Sequence, residues 1–282
     1  MKKFDHKILD DVKKEVSKLS ETPTLAIVTC SYDEPSQIYV KNKVKTACEV
    51  GIEATHYNLE PTMFSDTSEL VNYVQSLNEE HHAIIVQLPL HDKFDSEEVI
   101  KAIEPDHDVD GLTNENIARL VSNDPKAVIP ATAGACYEII KHTTGKSDLS
   151  GLNITIINRS HLIGKPLFQL LLNSNATVTV CHSRTANLEN HIKNSDVVVI
   201  GIGRPHYFSD YQFISGTLVL DCGISRVDGK IVRDVQITDS EYIDYAGKVG
   251  IITTAYLMKS VVQCYKQQNN KNTWSIQVFF VL

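Results

Sequence analysis

Short apolar runs set between helical stretches constrain this chain more than any other feature of its sequence. Leu25-Ala26-Ile27-Val28, Ala83-Ile84-Ile85-Val86 and Val197-Val198-Val199-Ile200 are uninterrupted. Such a run is too brief for a buried helix and has no polar alternation to give it a wet face, so it reads as a strand covered on both sides. Strands of that kind are parallel and need helical crossovers. The segments between supply them. Ile8, Leu9, Val12, Val16 and Leu19 recur at helical spacing, and Pro35-Ser36 open a second helix with Val40, Val44 and Ala47 on one stripe and Gly51 past its end. A further helix is expected at about Ser68–Leu77, before the run Ala83–Val86 that Pro89 stops.

The second half repeats this grammar more tightly. Strand Asn153–Ile157 leads through Gly164-Lys165-Pro166 into helix Leu167–Leu172, and strand Thr177–Val180 into a helix through Leu188 and Ile192. Strands Val197–Ile200 and Leu218–Leu220 follow, and Asp228-Gly229 between Val227 and Lys230 signals a hairpin. A βαβαβ run of this kind is a nucleotide-binding architecture whose ligands sit at the carboxyl ends of the strands. The fold expected is α/β with two domains: an N-terminal α/β substrate domain, a C-terminal Rossmann-like dinucleotide-binding domain, and a cleft between them. The boundaries expected are 1–140, with 251–282 packing back on that domain, and 141–250, the changeover lying where Thr143, Thr144, Gly145 and Lys146 cluster.

Composition narrows the function classes. A chain of 282 residues is long enough for two ordinary domains, and 42% hydrophobic with 22% charged residues is a globular balance. The formal net charge of −8 argues against a broad nucleic-acid surface. No apolar run approaches the ~20 residues that span a bilayer, and no apolar signal-peptide core follows Met1-Lys2-Lys3-Phe4-Asp5. Cys30, Cys48, Cys136, Cys181, Cys222 and Cys264 are scattered with no Cys-x-x-Cys pair, which reads as reduced thiols in a reducing, cytoplasmic setting rather than as disulfides or a metal site.

Several residues could carry chemistry. Tyr39 and Lys43 are four apart on a helix and share a face, so a phenol stands beside an ammonium whose pKa burial would bring toward working pH. Taken alone the pair is weak, because a solvated lysine is the default. Gln87 ends a buried strand, where parallel sheets place functional side chains; a capped strand end explains it equally well. Asp106-His107-Asp108-Val109-Asp110-Gly111 is acid-rich, yet it lacks the ligand spacing of a calcium loop, so no metal is expected. Asn158-Arg159-Ser160 lies where a strand turns toward a helix and amides face an anion. His182-Ser183-Arg184 ends the next strand without an acid to grip a ribose hydroxyl, and Ser183 with Arg184 suits a 2′-phosphate. Gly201-Ile202-Gly203 lets backbone approach a cofactor closely.

In chain order these pieces resemble one family, the bifunctional methylenetetrahydrofolate dehydrogenase/methenyltetrahydrofolate cyclohydrolases. The text that carries the resemblance is Ser36-Gln37-Ile38-Tyr39-Val40-Lys41-Asn42-Lys43, Val86-Gln87-Leu88-Pro89-Leu90, Asp108-Val109-Asp110-Gly111-Leu112, Arg159–Pro166, Ala176–Thr185 and Gly203-Arg204-Pro205. It spans about Leu25 to Met258. The resemblance implies NADP-dependent oxidation of 5,10-methylenetetrahydrofolate to the methenyl form, then hydrolysis to 10-formyltetrahydrofolate. It implies Lys43, Tyr39 and Gln87 at the one-carbon centre, with Asp110, Tyr39 and Gly250 holding the folate. Arg159, Ser160, Ser183, Arg184, Gly203, Ile224 and Thr132 are implied at NADP, and the assembly implied is a homodimer.

The departures from the family pattern fall on the cofactor and cleft framework. The glycine before Arg-Ser is Asn158, the strand-end glycine of the first domain is Ser31, and Pro-Cys-Thr-Pro-x-Gly keeps only Pro130 and Thr132. Pro-Gly-Gly-Val-Gly-Pro-Met-Thr reads Ala246-Gly247-Lys248-Val249-Gly250-Ile251-Ile252-Thr253. Added side chains at such points are expected to crowd ligands and weaken the dehydrogenase relative to the cyclohydrolase. They also leave open a diverged relative that binds folate or nucleotide without turnover. Short-chain dehydrogenases share Tyr-x-x-x-Lys, but there the glycine-rich loop precedes the tyrosine; the order here is the reverse. The tail Trp274–Leu282 reads as an edge strand or a frayed end.

Overall fold

The structure is a computed structural model that describes the backbone of residues 2–32, 34–209, 211, 213–227, 230–235, 243–244 and 249–279, with side chains described except at 2–6, 34–37, 226, 243–244 and 270–279. The chain divides into two compact units, Met1–Ile129 with Thr254–Leu282, and Pro130–Thr253.

The first unit begins with helix α1 (Lys2–Val16), strand β1 (Thr24–Thr29), helix α2 (Glu34–Val50) and strand β2 (Glu53–Asn58). Helix α3 (Thr67–Ser76), strand β3 (Ala83–Val86), helix α4 (Ser96–Lys101) and helix α5 (Asn114–Val121) complete it. The three strands form a parallel sheet in the order β2-β1-β3. Leu25 to Val28 and Ala83 to Val86 are buried, as expected of strands covered on both faces. Helix starts follow from capping chemistry. Asp66 accepts from Glu69 N at 3.1 Å while Glu69 Oε2 reaches back to Ser65 N at 2.7 Å, and the Asp95 and Thr113 side chains cap α4 and α5. The core gathers Ala26, Val28, Leu70, Val74, Ile84, Phe94 and Val99.

The second unit holds helix α6 (Ala131–Thr144), strand β4 (Asn153–Ile157), helix α7 (Gly164–Asn173), strand β5 (Thr177–Cys181), helix α8 (Leu188–Lys193), and strands β6 (Val197–Ile200) and β7 (Leu218–Asp221). Strands β8 (Ser225–Val227) and β9 (Lys230–Val232) pair antiparallel, and β10 (Ile243–Asp244) ends the series. Asp228-Gly229, read as the hairpin turn, lies outside the described residues. The main sheet runs β10-β7-β6-β4-β5, all parallel, so the loops after β5, β4, β6 and β7 share one edge. The sequence pattern puts the changeover between units at residue 141, whereas packing puts it at Pro130. The reason is that α6 lies against α7, with Tyr137 and Ser174 hydroxyls 2.7 Å apart.

Helix α9 (Val249–Phe279) follows. Its later turns pack in the first unit: Tyr265 Oη meets Ser20 Oγ at 3.1 Å, Gln268 Nε2 donates to His82 O and Asp106 O, and Lys266 pairs with Glu15. The tail at Trp274–Phe279 is thus helix backbone, not an edge strand; residues 280–282 lie outside the described set. A four-residue apolar rule cannot see such a helix, because Val261, Val262, Cys264 and Tyr265 are buried among polar neighbours that face outward.

Candidate active site

The first unit brings three of the expected residues together. Gln87 continues the ladder beyond β3, its N–H donating to Val28 O at 2.8 Å. Its side-chain Nε2 donates to Leu88 O at 2.9 Å, which turns Oε1 to accept from Lys43 Nζ at 2.8 Å. Lys43 lies on α2, with Tyr39 one turn before it, and all three residues are half-buried. Asp110 stands in the loop that runs alongside β3, where Ile84 N donates to His107 O at 2.8 Å and Val109 N to Ile84 O at 3.4 Å. Gly111 closes this turn at φ +64°, a left-handed conformation that favours glycine.

The acids of this loop are not solvated charge. Asp108 is 1% exposed, and its Oδ2 accepts from Thr113 N at 2.7 Å and Asn116 Nδ2 at 3.1 Å, so it is spent on shaping the loop. Asp106 pairs with Arg119 at 2.9 Å. Asp110 is left beside Lys43. Lys43 keeps some exposure as a residue, yet atoms surround its ammonium closely. That burial pushes its pKa below the ordinary lysine value, with the Asp110 carboxylate opposing. Burial likewise pushes the Asp110 carboxyl up; Lys43 opposes and Asp108 adds to the rise. Both directions favour an uncharged amine next to an acid, the state in which Lys43 can accept a proton.

In the second unit, Arg159, Ser160, Ser183, Arg184, Gly203 and Ile224 follow strands β4, β5, β6 and β7 along the one shared edge. Arg159 is exposed, and Ser160 Oγ accepts from Ile163 N at 3.1 Å, which leaves its hydroxyl hydrogen to donate elsewhere. Thr185 Oγ1 accepts from His182 N at 2.9 Å and Arg184 N donates to His182 Nδ1 at 3.2 Å. This turn presents Ser183 and Arg184 to solvent. Gly203 has φ +66° and open space where a Cβ would stand. Ile224 is exposed. Thr132 and Gly250 are not at strand ends: they sit in the first turns of α6 and α9. Lys248 lies outside the described residues, and Ile251 is exposed.

Two buried acids escaped the sequence patterns. Asp221, at the end of β7, accepts from Gly223 N and Val235 N, both at 2.8 Å. Asp234 is fully buried and accepts from Ile202 N at 2.7 Å, Gly203 N at 3.0 Å and Arg204 N at 2.6 Å. The strand-end position of Asp221 was a usable signal; Asp234 carries none, because its partners are far away in sequence.

Comparison with known proteins decides the family. The tetrahydrofolate dehydrogenase/cyclohydrolase catalytic domain matches residues 1–110, and the NAD(P)-binding domain of the same family matches residues 130–269. A bifunctional protein FolD of Rickettsia bellii is 39% identical over 277 residues, covering 94% of this chain and 96% of that protein. This chain belongs to the tetrahydrofolate dehydrogenase/cyclohydrolase family. Among solved structures, the bifunctional FolD of Campylobacter jejuni superposes with a TM-score of 0.87 at 30% identity, covering 94% of this chain and 96% of that one. The Trypanosoma brucei dehydrogenase-cyclohydrolase, solved with NADP cofactor and an inhibitor, gives 0.84 at 28% identity over 94% and 95% of the two chains. The family's two-domain α/β architecture is the one seen here. No helix among the described residues of this family member is long and apolar enough to cross a membrane.

Proposed function

We propose that this protein oxidises 5,10-methylenetetrahydrofolate with NADP and hydrolyses the methenyl product to 10-formyltetrahydrofolate. The observation that carries the reading is the Lys43–Gln87 hydrogen bond of 2.8 Å beside Asp110, in a lysine whose pKa burial has lowered. In the hydrolysis, neutral Lys43 takes a proton from the water that attacks the methenyl carbon. The carbinolamine then collapses: Lys43 returns that proton to N5 as the carbon–N5 bond breaks, and the hydroxyl proton leaves to solvent as the formyl C=O forms. Gln87 accepts from Lys43 throughout, which holds the amine lone pair in one direction. Tyr39 lies on the same helix face as a second polar group at the one-carbon centre, and Asp110 is the proposed folate contact of this unit. General acid–base work of this kind contributes roughly 10²- to 10⁴-fold.

The strand-end loops of the second unit fit a dinucleotide. The Ser160 hydroxyl hydrogen, exposed Arg159 and the open face of Gly203 can take phosphates and backbone contact; exposed Ser183 and Arg184 suit a 2′-phosphate. Ile224 and Thr132 complete the proposed contacts. Bound NADP would supply the hydride acceptor for the methylene carbon. The first unit is proposed as the folate-binding catalytic domain and the second as the NADP domain, acting in the cytoplasm as a homodimer; the dimer rests on family resemblance. Purified protein should hydrolyse methenyltetrahydrofolate and reduce NADP with methylenetetrahydrofolate. Tight binding of both ligands with neither turnover would sink this reading. Sedimentation at a monomer mass would remove the dimer.

A further inference from the structure

Asn158 stands where the family resemblance sets a glycine, and a crowded cofactor loop is the expected consequence. Its side chain is instead consumed within the protein. Oδ1 accepts from Ser160 N at 2.7 Å and Gly164 N at 3.0 Å, at the start of α7. Nδ2 donates to Gly201 O, in the loop after β6. The next three residues of that loop, Ile202, Gly203 and Arg204, give their N–H groups to the buried Asp234 carboxylate. The Gly201–Arg204 segment is therefore held from two sides, by an amide donor on its carbonyl and by a carboxylate on its amides.

Two glycines make room for this arrangement. A Cβ on Gly164 would stand 2.1 Å from the Asn158 carbonyl oxygen, and a Cβ on Gly223 would stand 2.1 Å from the Asp234 carboxylate. A Cβ at Gly164 would collide with backbone, and one at Gly223 would push the Asp234 carboxylate off its amide partners. We propose that Asn158 and Asp234 form a two-sided clamp that pre-sets the Gly201–Arg204 loop and the start of α7 for the dinucleotide. They are positioning residues: the clamped amides are already taken, and the loop offers a cofactor its open Cα face at Gly203. Pre-ordering a loop raises affinity by removing the cost of ordering it on binding. The clamp rests on the NADP reading of this edge.

The experiment compares wild type with Asn158→Gly, Asn158→Asp and Asp234→Asn. Three readouts are taken: backbone amide exchange without ligand, NADP affinity by calorimetric titration, and methenyltetrahydrofolate hydrolysis. Asn158→Gly should speed exchange at Ser160, Gly164 and residues 202–204. It should weaken NADP binding about tenfold, the equivalent of one or two lost hydrogen bonds, and leave hydrolysis unchanged. Asn158→Asp keeps the acceptor for Ser160 and Gly164 but loses the donor to Gly201, so exchange should rise only in the 202–204 loop. Asp234→Asn should free at least one of the three amides; if it does not fold, the two Asn158 variants carry the test. Unchanged exchange, or NADP bound as tightly or more tightly by Asn158→Gly, overturns the clamp and restores crowding. A wild type that binds no dinucleotide overturns the NADP reading itself, and the clamp's role in binding falls with it.

Discussion

Lys43 Nζ donates to Gln87 Oε1 at 2.8 Å, joining the middle of helix α2 to the end of strand β3. A weak i,i+4 sequence pair becomes through this bond a lysine with a fixed direction. The amide that receives it is itself fixed by Leu88 O, so neither partner is free to rotate. Burial adds to this by pushing the Lys43 pKa below the ordinary lysine value, with the Asp110 carboxylate opposing.

Replacing Lys43 tests that directly. Lys43→Ala should lower methenyltetrahydrofolate hydrolysis by roughly 10²- to 10⁴-fold, with circular dichroism and thermal midpoint close to wild type. Hydrolysis at the wild-type rate by the folded variant would take Lys43 out of the mechanism.

Asp110 sets where on the pH axis Lys43 works. Its carboxylate opposes the lowering of the Lys43 pKa, so Asp110→Asn should let that pKa fall further. The rising limb of hydrolysis against pH should move to lower pH, and KM for the folate should increase with loss of the proposed folate contact. A limb that stays in place would mean that Asp110 holds substrate without tuning the lysine.

Cofactor choice should follow the turn after β5. NADP should bind more tightly than NAD, and Arg184→Ala should narrow the gap about tenfold or more, as loss of a charged hydrogen bond would. Titration of both dinucleotides into both proteins decides it. Equal affinities in wild type would leave Arg184 as a surface charge.

Asp221 gives a prediction on stability. Burial raises its pKa from the usual 3.8 to about 6, against the opposing hydrogen bonds from Val235 and Gly223. A raised carboxylate pKa means that folding disfavours the charged form. The penalty is therefore full above about pH 6 and fades as pH falls toward 3.8, with a span on the order of 3 kcal/mol. Relative to Asp221→Asn, wild type should lose stability between pH 4.5 and 7.5, measured as the change in urea midpoint for both proteins. A constant difference across that range would show that Asp221 stays charged at no cost.

The strands were the most legible part of the molecule. Leu25–Val28, Ala83–Val86 and Val197–Ile200 are buried on both faces, and a tetrad with no polar residue has no other stable placement. Helix α9 was the least legible part, since its buried residues are spread over many turns and their partners come from far along the chain.

The candidate site divides in the same way. That Lys43 and Tyr39 share a face, that Gln87 ends a strand and that Ser183 and Arg184 end another are matters of local period, and the sequence by itself determined them. It also determined the family, through the order of its motifs. What only the tertiary structure decided is which atoms meet. Lys43 finds Gln87 across 44 residues, Asn158 turns inward to Gly201, and Asp234 collects three amides from about 30 residues away. Such contacts depend on how separate strands align and on where burial leaves a polar atom in need of a partner. Side-chain spacing along one segment carries no record of either, which is why a residue expected to crowd a loop proved to be bonded inside it.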